Sequence, residues 1–412
     1  MRSIQRLGDS IRDAWTDAEH SDAGFASLAS AALADSELLH STTKAELNEW
    51  FLSGAPLPRQ EMRPFGQPAL TLYRGDGFYI ELLVWLDSTT AIHQHSFAGA
   101  FAVYEGSSLH ARYRFDCTDA ASRELVFGAL ALRDVEVLRP GDVREINPGP
   151  SFVHALFHLE RPSLTLVVRT DTLPSWQPQY SYRAPGVGHD PFYDPEPTAT
   201  QLRLITSLGA SQDATFWPIV AAAMRTADPW TTLRLLTVAS EVAGDDVRFR
   251  EVAATARNRH GRRADMMLAS LEERARERNI VARRAMAHDP DHRFFLALLL
   301  NVGDRPSILD AIRARHPGSD PEALVLQWVG EMSEAQSIGL EFDALSLKML
   351  EHALHGLDLT DFERGLASVF GDDNVEEQHA ELSFLWAELT GSQLLRPLFC
   401  AADVELAECQ RR

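Results

Sequence analysis

His93 and His95 stand one residue apart at the head of an alternating apolar run, Ile92-His93-Gln94-His95-Ser96-Phe97-Ala98-Gly99-Ala100-Phe101-Ala102-Val103-Tyr104-Glu105-Gly106. Side chains on a strand repeat every two residues, so both imidazoles face the same way. That is half of a metal site. A third histidine, His154, follows another strand-like block and the turns Gly141-Asp142 and Pro148-Gly149. Three neutral imidazoles suit Fe(II), Ni, Cu or Zn, because nitrogen donors of this softness bind divalent transition ions better than Mg or Ca. Such a trio holds one face of an octahedral ion and leaves positions for substrate and O2 or water. Strand parity puts His158 on the same side as His154, either as a fourth ligand or acid/base group beside the metal, or as a satisfied core histidine.

The elements that must position these residues follow from the hydrophobic period. Over residues 67–172 it is two, with short β-rich runs at 69–74, 78–86, 99–104, 109–115, 135–138, 143–146, 152–159 and 164–169, separated by Gly-Asp, Glu-Gly, Pro-Gly and Arg-Pro turns. Many short strands without intervening helices indicate an antiparallel barrel or jelly roll. On the run at 109–115, His110, Arg112 and Arg114 alternate with Leu109, Ala111 and Tyr113, which predicts solvent exposure for all three polar residues.

Before the barrel, Ile4, Leu7, Ile11 and Trp15 recur at three and four, one stripe of an amphipathic helix, and Thr43 with Glu46 reads as a capping box. After it, Pro174, Pro178, Pro185, Pro191, Pro195 and Pro197 lie among Trp176, Tyr180, Tyr182, Phe192 and Tyr193, which predicts an ordered wrapping linker without regular helix or central strand. Beyond 200 the period is helical, with Asp228-Pro229 and Asp320-Pro321 as cap-plus-first-turn signatures and the run from Phe294 to Leu300 as a buried helix. The expected division is an N-terminal helical segment (1–65), a β-barrel with the metal site (66–175), a Pro/aromatic linker (176–200) and an all-helical domain (201–412).

Composition bounds the rest. The 412 residues are 45% hydrophobic and 24% charged, ordinary globular usage that can build a sizeable core. A formal charge of -20 argues against binding nucleic acid or an anionic membrane, since both are held by clustered Lys and Arg. The 3 cysteines, Cys117, Cys400 and Cys409, show no CxxC spacing, so no disulfide framework is expected and a reducing cytoplasm is the default. No apolar stretch reads as a signal peptide or a membrane span.

The two histidine motifs resemble the paired motifs of the cupin superfamily. His93, His95 and Gly106 fall on the first, with Gly99 where that family has its Glu ligand. Gly141, Gly149 and His154 fall on the second, with Asn147 in place of a Pro, two residues inserted before His154, and His158 at the late Asn position. Without the Glu, the set is similar to the three-histidine thiol dioxygenases, the cysteine dioxygenase group. The text leading up to the motif, Leu70-Thr71-Leu72-Tyr73-Arg74 and then Tyr79-Ile80-Glu81-Leu82-Leu83-Val84-Trp85, is similar too.

The resemblance implies a jelly-roll barrel in which His93, His95 and His154 hold Fe(II), with Zn, Ni or Cu as alternatives. Arg74 stands roughly where the family places a carboxylate-binding arginine. Where its last barrel strand carries a Ser-x-His-x-Tyr relay, this chain has Thr165, Val167 and Arg169, and an inward Arg169 favours an anionic substrate group.

The fold expected is thus α+β and multidomain: a cupin-type antiparallel barrel with N-terminal helices and a large all-α C-terminal domain. The function expected is a mononuclear non-haem iron oxygenase acting on a small polar or amino-acid-like substrate and O2, with His158, Arg74 and Arg169 as further site residues. The alternatives are a non-oxidative Zn- or Ni-dependent cupin isomerase, hydrolase or lyase, and a ligand-sensing regulator whose helical part makes interactions. A homodimer through the helical domain is the expected assembly.

Overall fold

The computed structural model of the chain describes residues 1–60, 65–86, 89–172, 178–243, 246–370 and 372–401, with the backbone only of 243, 370 and 372–377. Pro174, Trp176 and Cys409 lie outside the described residues. The chain forms two compact units, Met1–Arg274 and Ala275–Arg412.

Unit one opens with α1 (Arg2–Asp17), α2 (Asp22–Ala34), α3 (Glu37–His40) and α4 (Lys44–Leu52). The predicted stripe Ile4, Leu7, Ile11 and Trp15 is buried in full, and the Thr43/Glu46 capping box that starts α4 is present. Then come β1 (Ala69–Arg74), β2 (Phe78–Trp85), β3 (Ile92–His95), β4 (Gly99–Glu105), β5 (Ser108–Ala120), β6 (Leu125–Leu138), β7 (Val143–Ile146), β8 (Gly149–His158), β9 (Ser163–Thr170), β10 (Ser181–Arg183) and β11 (Val187–His189).

They make a 5-stranded sheet, β1-β2-β9-β4-β7, and a closed barrel, β10-β11-β6-β5-β8-β3. Every ladder between these strands is antiparallel, as the period-two runs predict. The period of two divides each strand of the first sheet between two environments. Ile80, Leu82, Ala100, Ala102, Leu164, Leu166 and Val168 pack with the stripe of α1 and with Phe25, Ala29 and Leu33 of α2. Their neighbours Leu83, Phe101 and Val167 cluster instead with Phe97, Ile146 and Leu156, beside the histidines. Burial on both faces is why these runs read as almost continuously apolar.

Two expectations need correction here. The proline-rich stretch is not free of strand: β10 and β11 close the barrel, and Ser181 of β10 pairs with His93 of β3. Each is three residues long, so each fits between prolines without placing one in the ladder. The helical region also does not divide from the barrel at residue 200. The helices α5 (Thr198–Ala210), α6 (Phe216–Met224), α7 (Pro229–Ala243) and α8 (Val247–His260) belong to unit one, and the division falls within α9 (Arg262–Met286). Leu125, Phe127 and Val187 of β6 and β11 share one apolar cluster with Leu202, Trp217, Leu236, Val252 and Met267. Outward apolar residues on those strands need a cover, and these helices supply it.

Unit two carries α10 (Pro290–Asn301), α11 (Arg305–Arg315), α12 (Pro321–Glu334), α13 (Ala344–Leu354), α14 (Leu359–Phe370) and α15 (Asp372–Thr390). Asp320 caps α12 with Pro321 in the first turn, as its sequence predicts. Phe294, Phe295, Leu296, Ala297, Leu298 and Leu299 are all buried, so α10 is the central helix of this unit. Cys117 is an exposed thiol. Among the described residues no helix is long and apolar enough to cross a membrane.

Candidate metal centre

The three sequence-predicted ligands converge. His93 of β3 pairs in register with His154 of β8, and a bulge between His93 and His95 then resets the ladder so that His95 pairs with Gly149. One ring nitrogen from each of His93, His95 and His154 falls within 4.8 Å of the others, and all three residues are buried. Nε2 of His95 lies 2.9 Å from Nε2 of His154. With metal–nitrogen bonds of roughly 2.0–2.1 Å, two ligands at a right angle stand about 2.9 Å apart, so the pair is already spaced as neighbouring ligands of one ion.

Electrostatics favour the ligand form of each ring. Burial pushes His93 down to about 4, with its backbone bond to Ala91 opposing. Burial, then the neighbouring histidines, hold His154 well below the usual imidazole range, and burial, His93 and Arg169 do the same to His95. Uncharged imidazoles offer a lone pair to a cation. Nδ1–H of His93 donates to the Ala91 carbonyl at 2.8 Å, which leaves its Nε2 as the free donor atom. Nδ1 of His95 is buried without a hydrogen-bond partner among the described residues. Soft nitrogen donors, buried, neutral and convergent, fit a divalent transition ion.

Beside the trio lies a cavity of about 80 Å³ between the two sheets. Its wall is mostly apolar, with Leu83, Trp85, Phe97, Phe101, Ile146, Leu156 and Val167, and its polar lining comprises Glu81, Thr90, Thr165 and Arg169 in addition to the histidines. The guanidinium of Arg169 lies over the Phe97 ring at 3.4 Å from its centroid, a cation–π contact that holds the charge against the cavity wall. Trp85 donates its indole N–H to Thr165 Oγ1 at 3.1 Å.

Of the predicted site residues, Arg169 thus lines the cavity, together with Thr165 and Val167. Arg74 does not: it is exposed at the end of β1, and its guanidinium pairs with Asp171 at 3.4 Å. His158 does not reach the cavity either. Its ring stacks on Trp85, centroids 4.8 Å apart, and its Nδ1 is 2.8 Å from Ser108 Oγ. Parity places His154 and His158 on one face, but four residues of strand separate them by about 13 Å.

Three residues escaped the sequence reading. His110 is fully buried, contrary to the exposure expected of it, while Arg112 and Arg114 are exposed as expected. Its Nε2 is 3.0 Å from His154 Nδ1, and its Nδ1 is 3.0 Å from Glu136 Oε1. Glu136 is held by Arg144 through Nε at 2.9 Å and Nη2 at 2.5 Å. The hydrogen bond from His110, then Arg144, keeps the Glu136 carboxyl far below the usual carboxylate range. The third is Glu81, the carboxylate residue of the otherwise apolar strand β2, and its parity with Leu83 and Trp85 was the available signal.

Neither a protein-family model nor a curated protein matches the chain. Solved structures similar to it include a cupin superfamily protein of Desulfitobacterium hafniense, at 14% identity and TM-score 0.18 over 28% of this chain and 94% of that one. Another is the DMSP lyase DddQ of Ruegeria pomeroyi, at 17% identity and TM-score 0.22 over 35% of this chain and 73% of that one. A third is a recombinant oxalate oxidase in complex with glycolate, at 16% identity and TM-score 0.19 over 40% of this chain and 64% of that one. At such scores the likeness carries no argument, and the chemistry of this chain rests on its own residues.

Proposed function

We propose that the protein is a mononuclear metal enzyme of the three-histidine cupin type, an iron oxygenase acting with O2 on a small polar, amino-acid-like or otherwise anionic molecule. The observation that supports this reading is the convergence of three buried, neutral imidazoles at the edge of a lined cavity. His93, His95 and His154 would hold the ion, and iron there would supply oxygen-activating chemistry.

The remaining work falls to the chain. At about 80 Å³ the cavity is far below the roughly 300–1,000 Å³ of pockets for drug-sized ligands, which favours a substrate of few heavy atoms. Arg169, stacked on Phe97, would orient an anionic group by charge-assisted hydrogen bonds. The apolar wall excludes water, which strengthens those contacts. Thiol oxygenation by the relay of the cysteine dioxygenase group is not part of the proposal, because Thr165, Val167 and Arg169 line the wall in its stead.

One observation favours a second reading. Glu81 gives the cavity a carboxylate able to accept or return a proton, which suits a non-oxidative Zn or Ni isomerase, hydrolase or lyase. Metal analysis of the protein as purified, followed by an O2-uptake screen with small carboxylates, amino acids and thiols, separates the two. Iron with coupled uptake supports the oxygenase, Zn or Ni without uptake supports the second reading, and no stoichiometric metal overturns both.

A further inference from the structure

A file of hydrogen-bonded side chains runs from His154 to the barrel surface and crosses β8, β5, β6 and β7 in turn: His154, His110, Glu136, Arg144. We propose that His110, Glu136 and Arg144 are positioning residues for the metal centre, an outer relay that locks His154 in the tautomer whose Nε2 lone pair faces His93 and His95 and makes that nitrogen a stronger donor. The proposal rests on the reading of the three histidines as metal ligands.

The direction of every bond follows from the surface end inward. A guanidinium only donates, so Arg144 gives two N–H groups to Glu136 and holds it as an acceptor-only carboxylate. Glu136 must therefore accept from Nδ1–H of His110. A buried ring carrying one proton then has only a lone pair left at Nε2, so His110 accepts from Nδ1–H of His154. That consumes the only proton of the His154 ring and leaves its Nε2 bare, facing Nε2 of His95 at 2.9 Å. Partial withdrawal of the Nδ1 proton towards the Glu136 charge raises the electron density at Nε2.

Strand pairing built this file. His110 is the register partner of Glu136 across β5 and β6, and it is paired with Leu156, two residues along β8 from His154. One step further along β5 and β6, Arg112 and Asp134 form a similar pair at 2.7 Å, but both are exposed and neither takes part in the file. That pair is the natural control.

Two measurements test the relay. Long-range proton–nitrogen spectra of metal-free protein with nitrogen-15 histidine read the tautomers directly. The expected result is one proton on Nδ1 of His154 and one on Nδ1 of His110. A proton on Nε2 of His154, or two protons on His110, overturns the proposal. Competitive titration with Co(II) reads the donor strength: His110→Phe weakens binding about 10–100-fold, Glu136→Gln weakens it by less in the same direction, and Arg112→Gln leaves it unchanged. Glu136 stands in the barrel wall, so its variant keeps the test decisive where the core variant fails to fold. Equal affinity in wild type, His110→Phe and Glu136→Gln overturns the relay and leaves the metal centre standing. Failure of wild type to bind Co(II) ends both.

Discussion

Nε2 of His95 and Nε2 of His154 face each other at 2.9 Å from the adjacent strands β3 and β8. Without an ion one of them must donate to the other, and the bond from Nδ1 of His154 to His110 assigns the donor role to His95. Occupation by a metal then requires only His95 to change tautomer. Nδ1 of that ring, buried without a hydrogen-bond partner among the described residues, is where its proton would go.

The first prediction is a metal content of about one ion per chain, lost on substitution of the trio. His93→Ala and His154→Ala each bring it close to zero while the fold persists, because most of the core lies elsewhere. Metal at about 100 times its Kd stabilises the native state by about 2.7 kcal/mol, so chelation lowers the thermal midpoint of wild type and leaves that of the variants in place. Elemental analysis and paired thermal scans with and without chelator read both effects. Variants that keep stoichiometric metal would remove the trio from the site.

The second prediction concerns acid. His189 is buried beside Trp230, ring centroids 6.4 Å apart, and burial followed by Arg183, Arg234 and Arg274 pushes its imidazole down to about 3. In the unfolded chain the same group takes up its proton near pH 6.5, so between pH 6.5 and 3 the unfolded state binds more protons than the native state. Its contribution is thus fully present above pH 6.5 and declines by at most about 1.4 kcal/mol per pH unit as the pH falls through that window. Urea midpoints of chelated protein should fall with acid, and His189→Phe should fall less steeply. Equal slopes would mean that the imidazole takes its proton in the native state.

Much of the barrel was legible because its signal is local. The runs at 69–74 and 143–146 became β1 and β7 with the same bounds, and the pair His93/His95 with His154 converges as parity and turn spacing predicted. What escaped depends on three-dimensional placement. His110 and Arg112 share a strand face, yet His110 is buried among Phe101, Phe152 and His154 while Arg112 is exposed beside Asp134, a difference along the strand that alternation does not encode. Arg74 was aligned by its distance in text, but it stands at the exposed end of β1. The strands β10 and β11 were hidden by flanking prolines, because proline signals forbid long strands and say nothing about three-residue ones.

His158 supplies the third prediction. Its ring stacks on Trp85 and bonds Ser108, and it does not line the cavity, so its removal should cost stability and not metal. His158→Phe keeps the stack but strands the buried Ser108 hydroxyl, at about 1–3 kcal/mol. His158→Ala opens a cavity as well and should cost about 2–5 kcal/mol. Denaturant unfolding beside metal analysis checks this. A variant of native stability that has lost its metal would return His158 to the centre.

The fourth prediction asks why the chain has three histidines and no motif carboxylate. Gly99 stands where the resemblance of the sequence to cupin motifs would set a Glu, and on β4 its Cα packs so closely against β9 that an added Cβ would come within 2.1 Å of the Val168 carbonyl oxygen. That oxygen is backbone in the middle of a paired strand, so it cannot swing aside, and relief requires β4 and β9 to separate. Gly99→Ala should therefore destabilise by about 1–3 kcal/mol, the usual cost of overpacking, and Gly99→Glu by more, without tighter metal binding. Glu81, arriving from β2, is the carboxylate this cavity has instead. If Gly99→Glu unfolds at the wild-type midpoint and raises metal affinity, β4 and β9 do not approach as described, and the three-histidine set is an accident of sequence instead of a consequence of packing.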